Sequence, residues 1–465
     1  MKILTPKLID SFVGRTSEVF QNDATDGSPC CEALGRAWQR LGLRRGDVVL
    51  LCLPNGKELL NQFFGVLMSQ GVPALVAPMT PAARLREISQ ALGAWAIAGF
   101  RLPSGEFGAR SHESIGQLQV ATLQPPSEPA AAPGEVIVLT SGTSGFASGC
   151  VFDLGALLLN GERHAESIGQ RADDVVLVSL PLYFSFALVA QALASLVLGN
   201  RLVISGPPFH VGMYKDILED YDVTISSLTP VLIRSLLASD AHLPDKMRAL
   251  SVGGDAPGSE MVGRLLDLRP GGELYVTYGL TQAGPRVSTL AAHAEPRRRH
   301  GSVGRPIKGT AVFLRPTPDA GGLAQLYVAS ETVMKRSIGR VEGRPNDGLA
   351  APQTIATGDL FDQDEDGYLF FNGRLCDYIS RKGEKINLAA VRRLASQLPH
   401  VVNAKTFVTG PEDGHEDFDL VLRLDAPGDA LPNPREALRR LLRQSEMPRK
   451  IHIEVASETS SHAYK

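Results

Sequence analysis

Two hydrophobic periods take turns along the first half of the chain. "VVLLCL" (Val48 to Leu53) is a short unbroken apolar run of the kind that forms a buried strand. Glu58 to Ser69 spaces its apolar residues as a helix does, Val72 to Ala77 returns to the strand pattern, and Ala82 to Leu92 is helical again. Strand and helix in alternation predict a parallel sheet with both faces covered. The Pro/Ala-rich "LQPPSEPAAAPGE" (Leu123 to Glu135) interrupts as a loop, and the alternation then resumes. "EVIVLT" is followed by a helix near Gly155 to Ile168, by "DVVLVSLPLY", and by an apolar helix "ALVAQALASLVLGN" stopped at Gly199-Asn200. "RLVIS", "VTISSL" and "ELYVTYG" read as further buried strands.

From Val303 the texture changes. "AVFLRP", "AQLYVAS" and "GYLFFNG" are short strands separated by turns, and after Arg374 small units mixing helix and strand begin. The pattern predicts an α/β fold: a large N-terminal domain of parallel or mixed sheets flanked by helices with a β-rich subdomain (1–373), then a small, mobile α+β C-terminal domain (374–465). The boundary falls near Gly373 to Cys376.

Composition narrows the class. A chain of 465 residues is too long for one ordinary core, which agrees with two domains. A formal charge of -3 gives no support for a nucleic-acid partner. "PRRRH" (Pro296 to His300) is the main basic run and reads as a solvated loop. The cysteines (Cys30, Cys31, Cys52, Cys150, Cys376) lack metal-like spacing and suit reduced thiols. Neither a signal-peptide pattern nor a long apolar span is evident, so the expectation is a cytoplasmic protein without a membrane span.

The candidate chemistry lies in "VLTSGTSGFASGC" (Val138 to Cys150), where hydroxyl residues and glycines crowd together after an apolar strand. Glycines allow a close backbone approach, consecutive N–H groups form a nest for anions, and hydroxyls add donors. A phosphate chain is the natural guest, although on these residues alone a flexible loop of small side chains remains an equal alternative. The Gly-Lys-Ser/Thr ending of a P-loop does not follow.

"TSGTSGFASG" (Thr140 to Gly149) resembles the phosphate-binding signature of the adenylate-forming superfamily of acyl-CoA synthetases, aryl-CoA ligases, nonribosomal adenylation domains and luciferases, with Ala147 and Ser148 in place of its Pro and Lys. Further similarities follow in that superfamily's order: "LPLYFSFAL", "SVGGDAP", "YVTYGLTQ", "GSVGRPIKGTAV", "TGDL" and "GRLCDYISRKGEKINLAAV". They span nearly the whole chain, and the look is closest to acyl- or aryl-CoA ligases.

The resemblance implies the activation of a small carboxylic acid by ATP and Mg²⁺ as an acyl-adenylate, followed by transfer to CoA, a carrier-protein thiol or an amine. It implies that Thr140, Ser141, Gly142, Thr143, Ser144 and Gly145 cradle phosphates. Gly254, Asp255 and Ala256 would line the adenine site, Tyr278 would stack on the base beside Gly279, and Asp359 and Arg374 would meet the ribose. Gly253, Gly279, Phe184 and Ser185 would bound the acyl group, with Phe184 favouring an aryl or apolar one. Thr281 would reach the α-phosphate.

The chain also departs from the superfamily at defined places. Gln282 stands where an acidic residue helps to hold Mg²⁺; its amide oxygen offers a ligand without the charge. Cys376 occupies the hinge position. In the tail "SETSSHAYK", Thr459 and His462 fall in register and Ala463 replaces the catalytic lysine, leaving Lys465 as the candidate cation. These departures keep a second reading open: an adenylate-binding relative with weak or lost activity that serves as a binding or scaffold protein.

Overall fold

The computed structural model describes residues 4–19, 30–78, 80–102, 108–124, 128–140, 148–239, 242–317, 323–339, 348–381, 384–412, 415–427 and 430–455. The chain divides into two compact units. The first holds Met1–Ala311 and Val328–Ile355, and the second holds Val312–Tyr327 and Ala356–Ala463. The sequence pattern drew the line at 373/374; this partition instead groups the strand Leu369–Arg374 with the C-terminal residues.

Two eight-stranded sheets form the body of the first unit. One runs in the order Arg336–Ile338, Gly149–Asp153, Glu135–Leu139, Val72–Leu75, Val48–Cys52, Ala94–Gly99, Leu118–Thr122 and Ser111–Ile115. Its centre is parallel and its margins antiparallel. Val48 to Leu51 are wholly buried, which is why that strand reads as an unbroken apolar run. The helices Lys57–Met68 and Ala82–Leu92 follow the expected alternation.

The other sheet carries Ser17–Glu18, Arg201–Ile204, Val175–Val178, Ile225–Leu228, Ala249–Val252 and Glu273–Gly279 in parallel, then Arg286–Ala291 and Arg305–Pro306 antiparallel. The helix expected over "ALVAQALASLVLGN" is present with a different winding. Phe186–Leu193 is a π-helix that continues as an α-helix over Ala194–Leu198. The wider turn is a form associated with functional sites.

In the second unit, Asp359 pairs across the ladder with Arg374, and Phe361 with Phe371. Beyond it the chain forms an antiparallel hairpin (Tyr378–Arg381 with Glu384–Asn387), the helix Leu388–Ala395 and a three-stranded sheet of Val401–Glu412, His415–Leu424 and Ile451–Val455. Alternate residues Phe418, Leu420, Leu422 and Leu424 are fully buried and supply that unit's core. No helix among the described residues is long and apolar enough to cross a membrane.

Candidate active site

The sheet that contains Glu273–Gly279 has two edges of opposite character. Where its parallel strands begin, charges are matched. Asp174 precedes one strand and accepts bonds from Arg248 Nε (2.9 Å) and Nη2 (2.6 Å), Thr224 Oγ1 (2.7 Å) and the Arg171 N–H (2.6 Å). Arg248 also donates to Glu273 (2.8 Å) and to the Gly169 carbonyl (2.7 Å). Burial alone would raise the Asp174 pKa, but these donors outweigh it and the carboxyl sits below its usual range.

At the other edge, where ligands gather in open α/β sheets, the strand Ala249–Val252 ends in the buried Gly253 and the exposed Gly254, Asp255 and Ala256. Asp255 Oδ1 accepts from the Ala256 N–H (2.8 Å). The neighbouring strand ends in Tyr278 and Gly279, both half-buried. A side chain at Gly279 would run into the Pro285 carbonyl, so this position needs a glycine for close packing as well as for any ligand. A single 3₁₀ turn over Thr281–Ala283 follows, and the hydroxyl of Thr281 meets that of Ser185 at 3.2 Å. Ser185 lies just before the π-helix, with Phe184 packed on Tyr183 at a ring separation of 4.7 Å. Asn55 holds this segment by accepting from the Leu182 N–H and donating to the Leu180 carbonyl, each at 2.8 Å. The carbonyl of Gln282 accepts from the Met334 N–H at 2.9 Å.

One residue that sequence reasoning missed belongs here. The ladder between Glu273–Gly279 and Arg286–Ala291 slips at Tyr278/Gly279, so that Gly279 faces Arg286 instead of Val287. The bulge re-aims Arg286 onto the side of Thr277. Only 3% of Arg286 is exposed. Its Nη1 donates to Thr277 Oγ1 at 2.9 Å, and Thr277 in turn donates to the Val252 carbonyl at 3.1 Å. The guanidinium carbon lies 3.7 Å from the centre of the Phe186 ring. Among the described residues, Nε and Nη2 have no hydrogen-bond partner. Burial lowers the Arg286 pKa to about 9, and no carboxylate offsets it.

Beside it, His164 on the helix Leu154–Ser167 is wholly buried, and among the described residues neither ring nitrogen has a partner. Burial first, and the Arg286 charge second, hold its pKa well below the usual imidazole value. Asn160 on the same helix fixes the strand by accepting from the Arg286 N–H (2.9 Å) and donating to its carbonyl (3.0 Å). The only available sequence signal was an arginine standing alone in the uncharged stretch "YVTYGLTQAGPRVSTLAA".

The phosphate-loop candidates Ser141, Gly142, Thr143, Ser144 and Gly145 lie outside the described residues, as do Ala463 and Lys465. What is described is the loop's base. Thr140 bonds Ser148 through its N–H (3.1 Å to the carbonyl) and its hydroxyl (2.8 Å to Oγ), where the antiparallel strands Glu135–Leu139 and Gly149–Asp153 end. Those strands are clamped at the far side by the buried Glu135, which binds Arg336 at 2.9 Å and Lys335 at 2.8 Å. Burial works to raise the Glu135 pKa; Arg336, the Ala132 N–H and Lys335 prevail and bring it down to about 2.

In the second unit, Asp359 is buried and accepts from Arg374 Nε at 3.1 Å, while its N–H is held by Thr357 Oγ1 at 3.0 Å. Asp377 accepts from the Arg374 N–H (3.1 Å) and from Arg392 (2.6 Å), fixing the turn through Cys376. In the basic run, Arg297 and Arg298 are exposed and Arg299 pairs with Glu295 at 2.9 Å. Among the described residues no group of His, Cys, Asp and Glu is arranged to hold a metal ion.

Residues 29–336 match the model of the AMP-binding enzymes, and the chain belongs to that family. It is 24% identical over 439 residues to 4-coumarate-CoA ligase 1 of Narcissus pseudonarcissus, covering 86% of this chain and 78% of that one. Sulfoacetate–CoA ligase of Cupriavidus necator is 27% identical over 422 residues, covering 84% and 81%. The fold is that of o-succinylbenzoate coenzyme A synthetase from Bacillus subtilis in complex with AMP, with a TM-score of 0.77, 19% identity and coverage of 97% and 95%. The same enzyme in complex with ATP and magnesium ion matches with a TM-score of 0.73 and 19% identity, covering 96% and 95%.

Proposed function

We propose that the protein activates a small carboxylic acid with ATP as an acyl-adenylate and transfers the acyl group to CoA. The observation that carries this reading is the family match across residues 29–336. Relatives named as acid–CoA ligases, and a fold shared with a synthetase seen with AMP and with ATP and magnesium, point the same way.

Each named residue has a role suited to its chemistry. Thr140 to Gly145 supply N–H and hydroxyl donors to the phosphates. Tyr278 offers a ring face to the base next to Gly279, with Gly254, Asp255 and Ala256 beside it. Thr281, oriented by its contact with Ser185, donates its hydroxyl to the α-phosphate. Asp359, oriented by Arg374, accepts from the ribose hydroxyls, as an ionised carboxylate does well. Magnesium would be held chiefly by phosphate oxygens with the Gln282 amide oxygen as a neutral ligand, since this cation keeps few protein contacts. Lys465 is the candidate for the charge that Ala463 lacks. Attack of the acid's carboxylate on the α-phosphorus then releases pyrophosphate.

Pyrophosphate exchange with a panel of acids tests the proposal, with the Asp359→Ala variant as its control. Exchange in the wild type and loss of ATP binding by calorimetry in the variant are expected. Tight adenylate binding without exchange for any acid would favour a binding or scaffold protein, a reading for which Gln282 and Ala463 speak.

A further inference from the structure

Arg286 is a buried cation with an internal anchor and a spare edge. Thr277 holds Nη1, and Thr277 is itself held by the Val252 carbonyl, so the plane of the guanidinium is fixed. The two nitrogens left without partners, Nε and Nη2, are adjacent and together form one side of the fork. That side matches two oxygens of a carboxylate or sulfonate. The contrast with Arg248, whose Nε and Nη2 engage the two oxygens of Asp174, shows what such an edge is built for.

Two features mark the surroundings of this arginine. Gly253, at the wall assigned to the acyl group, packs closely against its anchor: a Cβ there would lie 2.5 Å from Thr277 Oγ1 and 3.1 Å from both Arg286 Nη1 and the Phe186 ring. Phe186, which covers the guanidinium, is only half-buried and stands at the start of the π-helix beside Ser185. A desolvated cation covered by an aromatic face is attracted but not neutralised. His164 adds no negative charge, and the family's sequence pattern gave no hint of an acid at this point.

We propose, on the ligase reading above, that the acid activated at this site carries a second anionic group, a carboxylate or sulfonate at its far end, which is bound side-on by Arg286 Nε and Nη2. The specificity-determining residue is therefore Arg286, with Thr277 as its positioning residue and Phe186 as its cover. The aryl or apolar character expected from Phe184 applies to the middle of the acid and not to its end.

The test is pyrophosphate exchange with matched acids that differ only at the far end: hexanoate and adipate, benzoate and terephthalate, phenylacetate and 4-carboxyphenylacetate, propanoate and 3-sulfopropanoate. For the best pair, wild type should favour the doubly charged member by about a hundredfold in kcat/KM, since a site built to bond a polar group rejects the analogue lacking it. In Arg286→Met that preference should collapse to within about threefold, mostly through KM. Arg286→Lys keeps the charge but not the fork and should fall between the two; it carries the test if the methionine variant does not fold. Equal use of both members by wild type, or an undiminished preference in Arg286→Met or Arg286→Lys, would overturn the assignment while leaving the ligase reading standing. Absence of exchange with every acid overturns the ligase reading, and the assignment with it.

Discussion

The two edges of one sheet treat buried arginine in opposite ways. Where the strands begin, Arg248 meets Asp174 and Glu273, and each of these partners carries further bonds. Where Glu273–Gly279 ends, Arg286 is more deeply buried and meets a threonine and an aromatic ring. Removing a charge from water is repaid at the first edge by internal partners and is left unpaid at the second. The contrast sets an arginine that holds the sheet against one whose proposed role is to meet an anion of the substrate.

Variants can break the contrast. The largest effect is expected for Arg248→Met, which strands the buried Asp174 carboxylate and leaves the half-buried Glu273 without this partner: a loss of about 3–5 kcal/mol in urea unfolding. A loss under about 1 kcal/mol would show that this edge is not the structural one.

His164 comes next, through pH. Its folded-state pKa is below 6.5, so the unfolded chain takes up a proton that the folded chain refuses. Stability attributable to it is complete above pH 6.5 and falls as pH drops below that value, by up to about 1.4 kcal/mol per pH unit. His164→Phe should flatten the stability profile between pH 6.5 and 4.5. The loss below 4.5, where Glu135 and then Asp174 are protonated more readily in the unfolded chain, should remain. An unchanged slope above 4.5 in the variant would assign the effect elsewhere.

Thr281→Val should separate chemistry from stability. Pyrophosphate exchange is expected to fall about tenfold, equivalent to about 1.4 kcal/mol, with the melting temperature unchanged. Parallel loss of both would make Thr281 a structural residue. The smallest effect is expected for the stability of Arg286→Met, which should be unchanged or raised by up to about 1 kcal/mol, because a buried charge without a counter-ion leaves. A marked destabilisation would place Arg286 with Arg248 as a holder of the sheet.

Legibility followed periodicity. Ala82 to Leu92 was readable to the residue because its apolar spacing is helical and Gly93 stops it, and Val48 to Leu53 because a strand buried on both faces is apolar throughout. The winding of Phe186–Leu193 was not readable, since "FALVAQAL" is apolar on every side and offers no period to distinguish one helix from another. Ser111–Ile115 went unseen because its exposed middle, His112 to Ser114, hides the strand pattern. At the site, Thr281, Asp359 and Arg374 stood out through a family resemblance; the structure pairs Thr281 with Ser185 and Asp359 with Arg374. Arg286 could not be found that way: its meaning depends on a ladder slip, and a slip between distant strands leaves no mark in local sequence.

That slip makes pairing register, as well as residue identity, a determinant of which face Arg286 occupies. A strand works like a two-phase reading frame, and one extra residue opposite Tyr278/Gly279 shifts the frame for everything upstream of Val287. Closing the bulge, so that Val287 faces Gly279, would carry Arg286 to the opposite face of the sheet without altering the arginine itself. Pairing between two strands, and not the residue at 286 alone, therefore decides on which side of the sheet the cation lies.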